Sequence, residues 1–313
     1  MRGLFAIVAM VVMAAMPREQ NAQVPARPPV IGRTAGISTG HPLTTAAAFE
    51  ILTQGGNAFD AGVAAMLTAG VLEQDLYSLG GEGHALVYPR AAGKVLSING
   101  QGWAPKGGSI DYFRSRRKTM VGAGLDPAVV PGVLHAALTI LERWGTMSFE
   151  RVAARAIDYA ESGFPLRPRT TESIDKNLAF IRAWPANAAM WLRPDGSSYK
   201  AGEIIRLPAL ARTLRRMVEA ERAAARGGRT AGIVAARDRF YKGDIAREMV
   251  AFVKAQGAPW ELADFADEVR RRRSDEVRRE GEVMAVLACR HHRYHDVHGR
   301  SESGRRAPAR HRA

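Results

Sequence analysis

One apolar segment, NAFDAGVAAMLTAGVL at residues 57–72, limits the folds open to this chain more than any other stretch. It has helical character and almost no polar side chain after Asp60. A helix that is apolar all round must be buried all round, as a helix under a sheet is. The segment before it, LTTAAAFEILTQGG, predicts a second helix that ends at Gly55, because glycine adopts the left-handed C-terminal conformation without steric cost. We therefore expect helices stacked in a layer.

Strand-like runs interrupt the helical periodicity in several places. HALVYP and KVLSI, separated by RAAG, predict a β-hairpin. Four later segments predict helices, and in one of them Ser148 is the N-cap candidate and Gly163 the stop. We expect RGGRTAG to be an exposed loop. The helical segments are VPGVLHAALTILERWG, SFERVAARAIDYAESG, LPALARTLRRMVEAERAAA and KGDIAREMVAFVKAQG. This alternation predicts a layered α/β fold over residues 35–267, and it disfavours a helix bundle or an all-β sandwich.

The N-terminus has the pattern of an export signal. Arg2 precedes the apolar run GLFAIVAMVVMAAM, which is shorter than the roughly 20 residues that a transmembrane helix needs. We predict a signal peptide over residues 1–22, a proline-rich linker over residues 23–34 and no stable membrane span. A periplasmic or secreted location follows from this prediction.

Residues 268–313 differ in composition from the rest of the chain. They contain thirteen arginines, no lysine and five of the eight histidines, and they account for much of the net charge of +14. The segment has one short apolar patch and no sustained period, so it is predicted to be a disordered or out-of-frame tail. The runs RRRR and RHHRYHDVH leave open nucleic-acid contact and metal binding, neither of which we predict. The single cysteine, Cys289, allows no internal disulfide and no cysteine-based zinc site.

Few residues in the rest of the chain have a pattern typical of a catalytic or metal site. The glycines of LGGEGHALVY precede a strand and do not form a phosphate-binding pattern, so a tight structural turn is predicted there. Glu82 and His84 lie on one face of that stretch but fall short of the three or four ligands that zinc takes. His41 and His135 have no paired nucleophile, and we interpret both as structural histidines.

Several motifs taken together resemble the γ-glutamyltranspeptidase family. They are HPLTTAAAFEILTQGGNAFDAGVAAML, LGGEGHALVY, GQGWAP, VPGVLHAALTILERWGTM, YAESGFPL and RFYKGDIAREMV. The resemblance covers residues 35–267 and implies the large-subunit half of an αββα sandwich of the N-terminal-nucleophile hydrolase type. In that family a precursor cleaves itself, and the new N-terminal threonine of the small subunit attacks a γ-glutamyl amide without a cofactor. The resemblance thus implies a small-subunit partner and a small γ-glutamyl-like amide as substrate.

Two departures from the family pattern qualify that expectation. Gln101 falls where classical members carry an arginine that pairs with the α-carboxylate of the γ-glutamyl group. A neutral amide supplies no charge there. Gln101 is our predicted substrate-binding residue. The alternative substrate is another small amide, such as oxamate. The alternative role for Gln101 is a loop amide that bonds its own backbone. The nucleophilic threonine lies beyond residue 313 in the family's order, so no catalytic residue is assigned. We expect the chain to be inactive alone, and a non-catalytic partner protein remains an alternative.

Overall fold

The structure is a computed structural model that describes residues 32–116 and 124–269. The chain divides into two units, residues 1–38 and 39–313. In the first unit, residues 32–38 contain a bend at Arg33 and Thr34 and neither helix nor strand. The predicted signal peptide, most of the predicted linker and nearly all of the basic tail lie outside the described residues.

Most of the described residues of the second unit are helical. A further helical stretch covers residues 262–269. The eleven helices before it are α1 Pro42–Thr53, α2 Ala58–Leu72, α3 Ile110–Arg116, α4 Val133–Trp144, α5 Phe149–Ser162, α6 Pro168–Lys176, α7 Leu178–Ala183, α8 Pro185–Trp191, α9 Pro208–Ala223, α10 Gly228–Tyr241 and α11 Asp244–Ala255.

The strands of the described residues form two small antiparallel sheets. β1 (Ala85–Val87) pairs with β2 (Leu96–Ile98), and Ala85 lies opposite Ile98. β3 (Phe164–Pro165) pairs with β4 (Ile204–Ile205). The β1–β2 hairpin confirms the prediction from HALVYP and KVLSI, and its turn is a short 3₁₀ helix closed by Gly93 at a φ of 62°. The β3–β4 pair was not expected from the sequence.

Helix α2 lies at the centre of the helical layer. It packs against α1, α4 and α5, and Val63, Leu67 and Val71 are fully buried. Only Ala58 and Gly62 of this helix are exposed. The apolar character of residues 57–72 therefore does require burial, as predicted. Further along the chain α5 packs against α9, and α9 against α10, which extends the same layer.

A buried carboxylate joins the start of α2 to the turn between α4 and α5. Asp60 is fully buried and accepts hydrogen bonds from the backbone N–H groups of Asn57 (2.9 Å), Thr146 (2.9 Å) and Met147 (3.1 Å). The Thr146 hydroxyl donates a fourth bond of 2.7 Å. Asn57 completes a capping box with Asp60 and donates from Nδ2 to the carbonyl oxygen of Trp144. Burying this charge is tolerable because so many donors surround it.

The predicted helix ends are confirmed at several positions. Gly55 and Gly163 have positive φ values of 88° and 101° at the ends of α1 and α5, and the Ser148 hydroxyl caps α5 by accepting from the Arg151 N–H. The expectation of an exposed loop at RGGRTAG was wrong, because a 3₁₀ turn at Ala225–Gly227 leads directly into α10. Helices α6 to α8 were not predicted from the sequence.

Replacing Asp60 tests how strongly this joint stabilises the fold. In Asp60→Ala four partly buried donors lose their acceptor, and a fully buried unsatisfied donor costs about 1–3 kcal/mol. We expect the free energy of unfolding to fall by at least about 3 kcal/mol, measured by urea denaturation. The exposed Asp111→Ala is the matched control and should change it little. A loss of the same small size in both variants would contradict this role for Asp60.

The imidazole of His41 caps helix α1 and gives a pH-dependent prediction. Its Nδ1 accepts the Leu43 N–H at 3.1 Å, which requires the neutral ring. Burial lowers the pKa of His41 below its ordinary 6.5, and this effect outweighs the opposing attraction of Glu73; Arg167 lowers the pKa further. The neutral ring's contribution to stability is therefore complete above pH 6.5 and is lost as the pH falls from there through the folded-state pKa.

We expect His41→Asn, which keeps a capping side chain without a titrating ring, to remove part of the wild-type stability loss between pH 7 and pH 5. The measurement is the urea midpoint across that range. His84→Asn, at an exposed histidine, should retain the wild-type slope. An unchanged slope in the His41 variant would show that this imidazole does not titrate with folding.

Candidate functional site

Three backbone segments cross at one place and hold the loop that carries Gln101. They are residues 81–83 before β1, residues 99–103 after β2 and residues 129–133, which lead into the first turn of α4. The Gly83 N–H donates to the Gly100 carbonyl oxygen at 3.1 Å, and the Gly132 N–H donates to Gly81 at 3.1 Å. The Val130 N–H donates to Trp103 at 3.0 Å. Each segment is thus hydrogen-bonded to at least one of the others.

Glycine is required at this crossing by the closeness of the backbones. A Cβ on Gly100 would lie 1.8 Å from the Gly83 carbonyl oxygen, and one on Gly102 would lie 1.9 Å from that of Val130. A Cβ on Gly132 would lie 2.4 Å from the Gly100 oxygen. Backbone atoms cannot rotate away as a side chain can, so these positions exclude every other residue without a shift of the chain. The glycines around Gln101 therefore serve the packing of the protein's own segments.

Gln101 projects from this crossing as an exposed side chain. Its backbone N–H donates to Oδ1 of Asn99 at 2.8 Å. Its side-chain Nε2 donates to Oε2 of Glu82, which is exposed on the neighbouring segment. The structure thus brings together two residues that the sequence treats separately, and it gives Gln101 a side-chain partner other than its own backbone.

A cavity of about 320 Å³ opens beside the crossing. Its apolar wall includes Ala65, Met66 and Ala69 of α2, and Val133 at the start of α4. Its polar lining comprises Thr39, Thr44, Glu73, Tyr77 and His84. Burial strongly raises the pKa of the Tyr77 hydroxyl, so this phenol stays protonated at neutral pH and can donate a hydrogen bond.

A buried ion-pair cluster fixes the turn that follows α2 beside this cavity. Arg167 donates to Glu73 at 3.3 Å and to Asp75 at 2.6 Å, and the Thr170 hydroxyl donates to Asp75 at 3.0 Å. All three charged side chains are largely shielded from solvent. The cluster joins the end of α2 to the start of α6, and the sequence patterns did not reveal it because its members are about ninety residues apart.

The far end of the Gln101 loop is anchored by the helical stretch 262–269. The Lys106 N–H donates to Oδ1 of the buried Asp264 at 3.1 Å, and its ammonium group pairs with Asp267 at 2.6 Å. Gly107 lies against the Pro259 backbone, where a Cβ would be 2.6 Å from the carbonyl oxygen. Residues 101–106 are thus held at both ends, and the second anchor was also missed by sequence reasoning.

The remaining candidate residues have other positions. His135 is buried in α4 with an edge-on contact to Tyr241, and Tyr241 bonds the backbone at Pro131 and His135, so this histidine packs in the core.

Across the described ranges no three histidine, cysteine, aspartate or glutamate side chains come together as a metal site. In those same ranges no helix has the length and apolar content to span a bilayer. RHHRYHDVH and RRRR lie outside the described residues.

The fold defines the class of protein. The structure superimposes on the crystal structure of Helicobacter pylori γ-glutamyltranspeptidase with a TM-score of 0.67 at 22% identity, over 76% of this chain and 65% of that one. This likeness confirms the predicted αββα sandwich of the N-terminal-nucleophile hydrolase type, of which the described residues form mainly the helical part. A sequence profile described as gamma-glutamyltranspeptidase matches residues 44–278. The chain belongs to the γ-glutamyltranspeptidase family.

Curated relatives carry several different names. The glutathione hydrolase-like YwrD proenzyme of Bacillus subtilis is 29% identical over 75% of this chain and 42% of its own length. The oxamate amidohydrolase proenzyme of Klebsiella pneumoniae is 28% identical over 72% of this chain and 40% of its own length. The chain thus spans about two fifths of the length of these relatives.

Adding one methyl group at the crossing tests its role. In Gly102→Ala the new Cβ meets the Val130 carbonyl oxygen, and relieving such a clash costs about 1–3 kcal/mol. We expect the urea midpoint to fall accordingly. Gly62→Ala is the matched control, because this exposed glycine within α2 has open space around it and alanine favours a helix by about 1 kcal/mol. A Gly102 variant as stable as wild type would mean that the segments can separate freely.

Proposed function

We propose that this chain supplies the large-subunit part of an enzyme that hydrolyses a γ-glutamyl or similarly small amide, or transfers its acyl group. The observation that carries the proposal is Gln101, which lies on a backbone crossing whose Gly83 and Val133 also line an open cavity, in a chain of this family. In the proposed enzyme, Gln101 binds the acyl half of the substrate by hydrogen bonds. Orienting a bound amide in this way lowers the entropic part of the barrier.

The nucleophile in this proposal is the N-terminal threonine of a small subunit outside residues 1–313. A threonine hydroxyl is a weak nucleophile until a base removes its proton, and a freed α-amine with an ordinary pKa of about 8 supplies that base within the same residue. Attack on the amide releases the amine and leaves an acyl-enzyme. Water or an amino acceptor then takes the acyl group. No cofactor is required for this sequence of steps.

Exposed apolar residues on the hairpin support a strand-bearing partner. Leu86 of β1 is 60% exposed, Tyr88 just after it 59% and Val95 before β2 44%. A two-stranded hairpin is marginally stable by itself and gains stability from further strands or from packing. Ala85 of the same strand lines the cavity from the opposite face, because side chains alternate along a strand, so the exposed apolar surface is the face that carries Leu86 and Tyr88. We propose that the small subunit covers this surface, which would complete the sheets of the sandwich.

The substrate in this proposal is a small amide whose recognition does not depend on pairing with an arginine at position 101. A γ-glutamyl amide is the first candidate because of the family, and the relative named oxamate amidohydrolase favours a second, an oxamate-like amide. A non-catalytic role as a docking partner for a separately encoded subunit is the alternative from another class. We also propose export to the periplasm or the medium, directed by a signal peptide over residues 1–22.

Reconstitution tests the proposal. The 313-residue chain is assayed for amine release from a γ-glutamyl anilide and for ammonia release from oxamate, alone and with a family small subunit that begins at its threonine. We expect no turnover above background by the chain alone and, with the small subunit, a rate on the order of 10³-fold or more above that background, because the nucleophile is then present. A threonine-to-alanine small subunit is the control. Turnover by the chain alone would overturn the assignment of the nucleophile, and no turnover in any combination would favour the docking partner.

A further inference from the structure

Glu82 and Gln101 form a side-chain pair whose geometry the backbone fixes. They come from segments 81–83 and 99–103, and the next residue on one segment, Gly83, is bonded through its N–H to the previous residue on the other, Gly100, at 3.1 Å. The short backbone bridge leaves the two side chains adjacent, and Gln101 donates from Nε2 to Glu82 Oε2. Both residues are exposed. The pair is therefore preorganised and accessible to a ligand.

The chemistry of the pair fixes which way the Gln101 amide faces. A carboxylate only accepts hydrogen bonds, so the NH₂ end of the amide must face Glu82 and the carbonyl Oε1 must face away from it. The outward side of the pair thus carries the second oxygen of the Glu82 carboxylate, which only accepts hydrogen bonds. A ligand with N–H or O–H donors suits this arrangement, whereas a carboxylate would bring acceptors against acceptors.

The charge of the pair points in the same direction. Among residues 32–116 and 124–269, no lysine or arginine forms an ion pair with Glu82, and Gln101 is its hydrogen-bond partner. The cavity lined by Gly83, the residue after Glu82, has Glu73 in its lining and neither lysine nor arginine, and Glu73 is paired with Arg167. A cationic group is favoured beside Glu82, and an anionic group there is repelled.

We propose that Glu82 and Gln101 together select an acyl group that carries a hydrogen-bond donor, foremost an ammonium group, over one that carries a carboxylate at the same position. This inference rests on the proposed function, because it gives Gln101 the same part of the substrate to bind. It assigns Glu82 as a second specificity-determining residue. Charge-assisted hydrogen bonds are about twice as strong as neutral ones, so the carboxylate of Glu82 makes the larger contribution to the choice.

The first test measures binding and needs no turnover. The 313-residue chain is titrated with 4-aminobutyramide and with glutaramate, which share three methylenes and a terminal amide and differ in carrying an ammonium or a carboxylate group. Ligand-observed NMR gives the two dissociation constants. We expect the ammonium probe to bind roughly ten-fold more tightly to wild type, a preference that Glu82→Gln abolishes and Gln101→Arg reverses.

The matched control is Glu172→Gln, an exposed glutamate on α6, which should keep the wild-type preference. Thermal melts of all variants verify that each is folded. Equal binding of the two probes, tighter binding of glutaramate, binding of neither at millimolar concentration, or a preference that Glu82→Gln leaves intact would each overturn the proposal.

The second test uses the reconstituted enzyme with 4-aminobutyryl and glutaryl anilides. We expect kcat/KM to favour the 4-aminobutyryl anilide in wild type and to lose that preference in Glu82→Gln. Absence of turnover for every anilide contradicts the proposed function, and the binding titration then decides the Glu82–Gln101 pair by itself. Turnover with a preference for the glutaryl anilide contradicts the pair and leaves the proposed function standing.

Discussion

The carboxylate of Asp60 is the interaction on which the helical layer depends. A fully buried charge is stable only where donors replace the water it has lost, and here the first turn of α2 and the turn at residues 145–147 supply them. Gly145 must be glycine for the approach, since a Cβ there would lie 2.6 Å from Oδ1 of Asp60. The bonds join α2 to the α4–α5 turn. Because α1, α4 and α5 all pack on α2, one side chain sets the relative positions of helices that are distant in sequence.

The same helix connects this layer to the site. The end of α2 enters the turn that Arg167 holds through Glu73 and Asp75, and that turn leads into the glycine segment at 81–83. Segment 129–133 leads into α4, whose other end meets Asp60. Two of the three crossing segments are thus continuous with helices whose positions are fixed elsewhere. This continuity explains how a rigid backbone can hold the exposed amide of Gln101. Hydrogen bonds between backbones make the crossing stiff, and the absence of side chains on its glycines makes it possible.

The sequence predicted those parts of the fold that depend on local patterns. The ends of α1 and α5 could be predicted from Gly55, Ser148 and Gly163, because a cap acts within one turn of its own helix. The start of α10 could not, since Gly227 and Gly228 are typical of a loop and only packing of Ile233 and Ala236 against the neighbouring helices selects a helix. Gln101 could be singled out by its position between glycines and by resemblance. Its contact with Glu82 joins residues 19 apart through a backbone crossing, and no local pattern encodes such a crossing.

The distribution of exposed apolar surface distinguishes the part of the chain that is stabilised by its own packing from the part that is left for contact with another molecule. The helical side is held by its own contacts: α2 packs against three helices, and the ion pair of Arg216 with Glu248 joins α9 to α11. The hairpin side is open: Leu86 and Tyr88 are exposed on one face of β1, and Ala85 on the opposite face lines the cavity. Exposing an apolar surface of this kind to water is unfavourable. Its presence in a chain that also carries the Glu82–Gln101 pair therefore indicates that the surface has a binding function. Apolar contact would bring a partner's strands to the hairpin, and wherever such contact excludes water near Glu82, its single charge would discriminate more strongly between ligands.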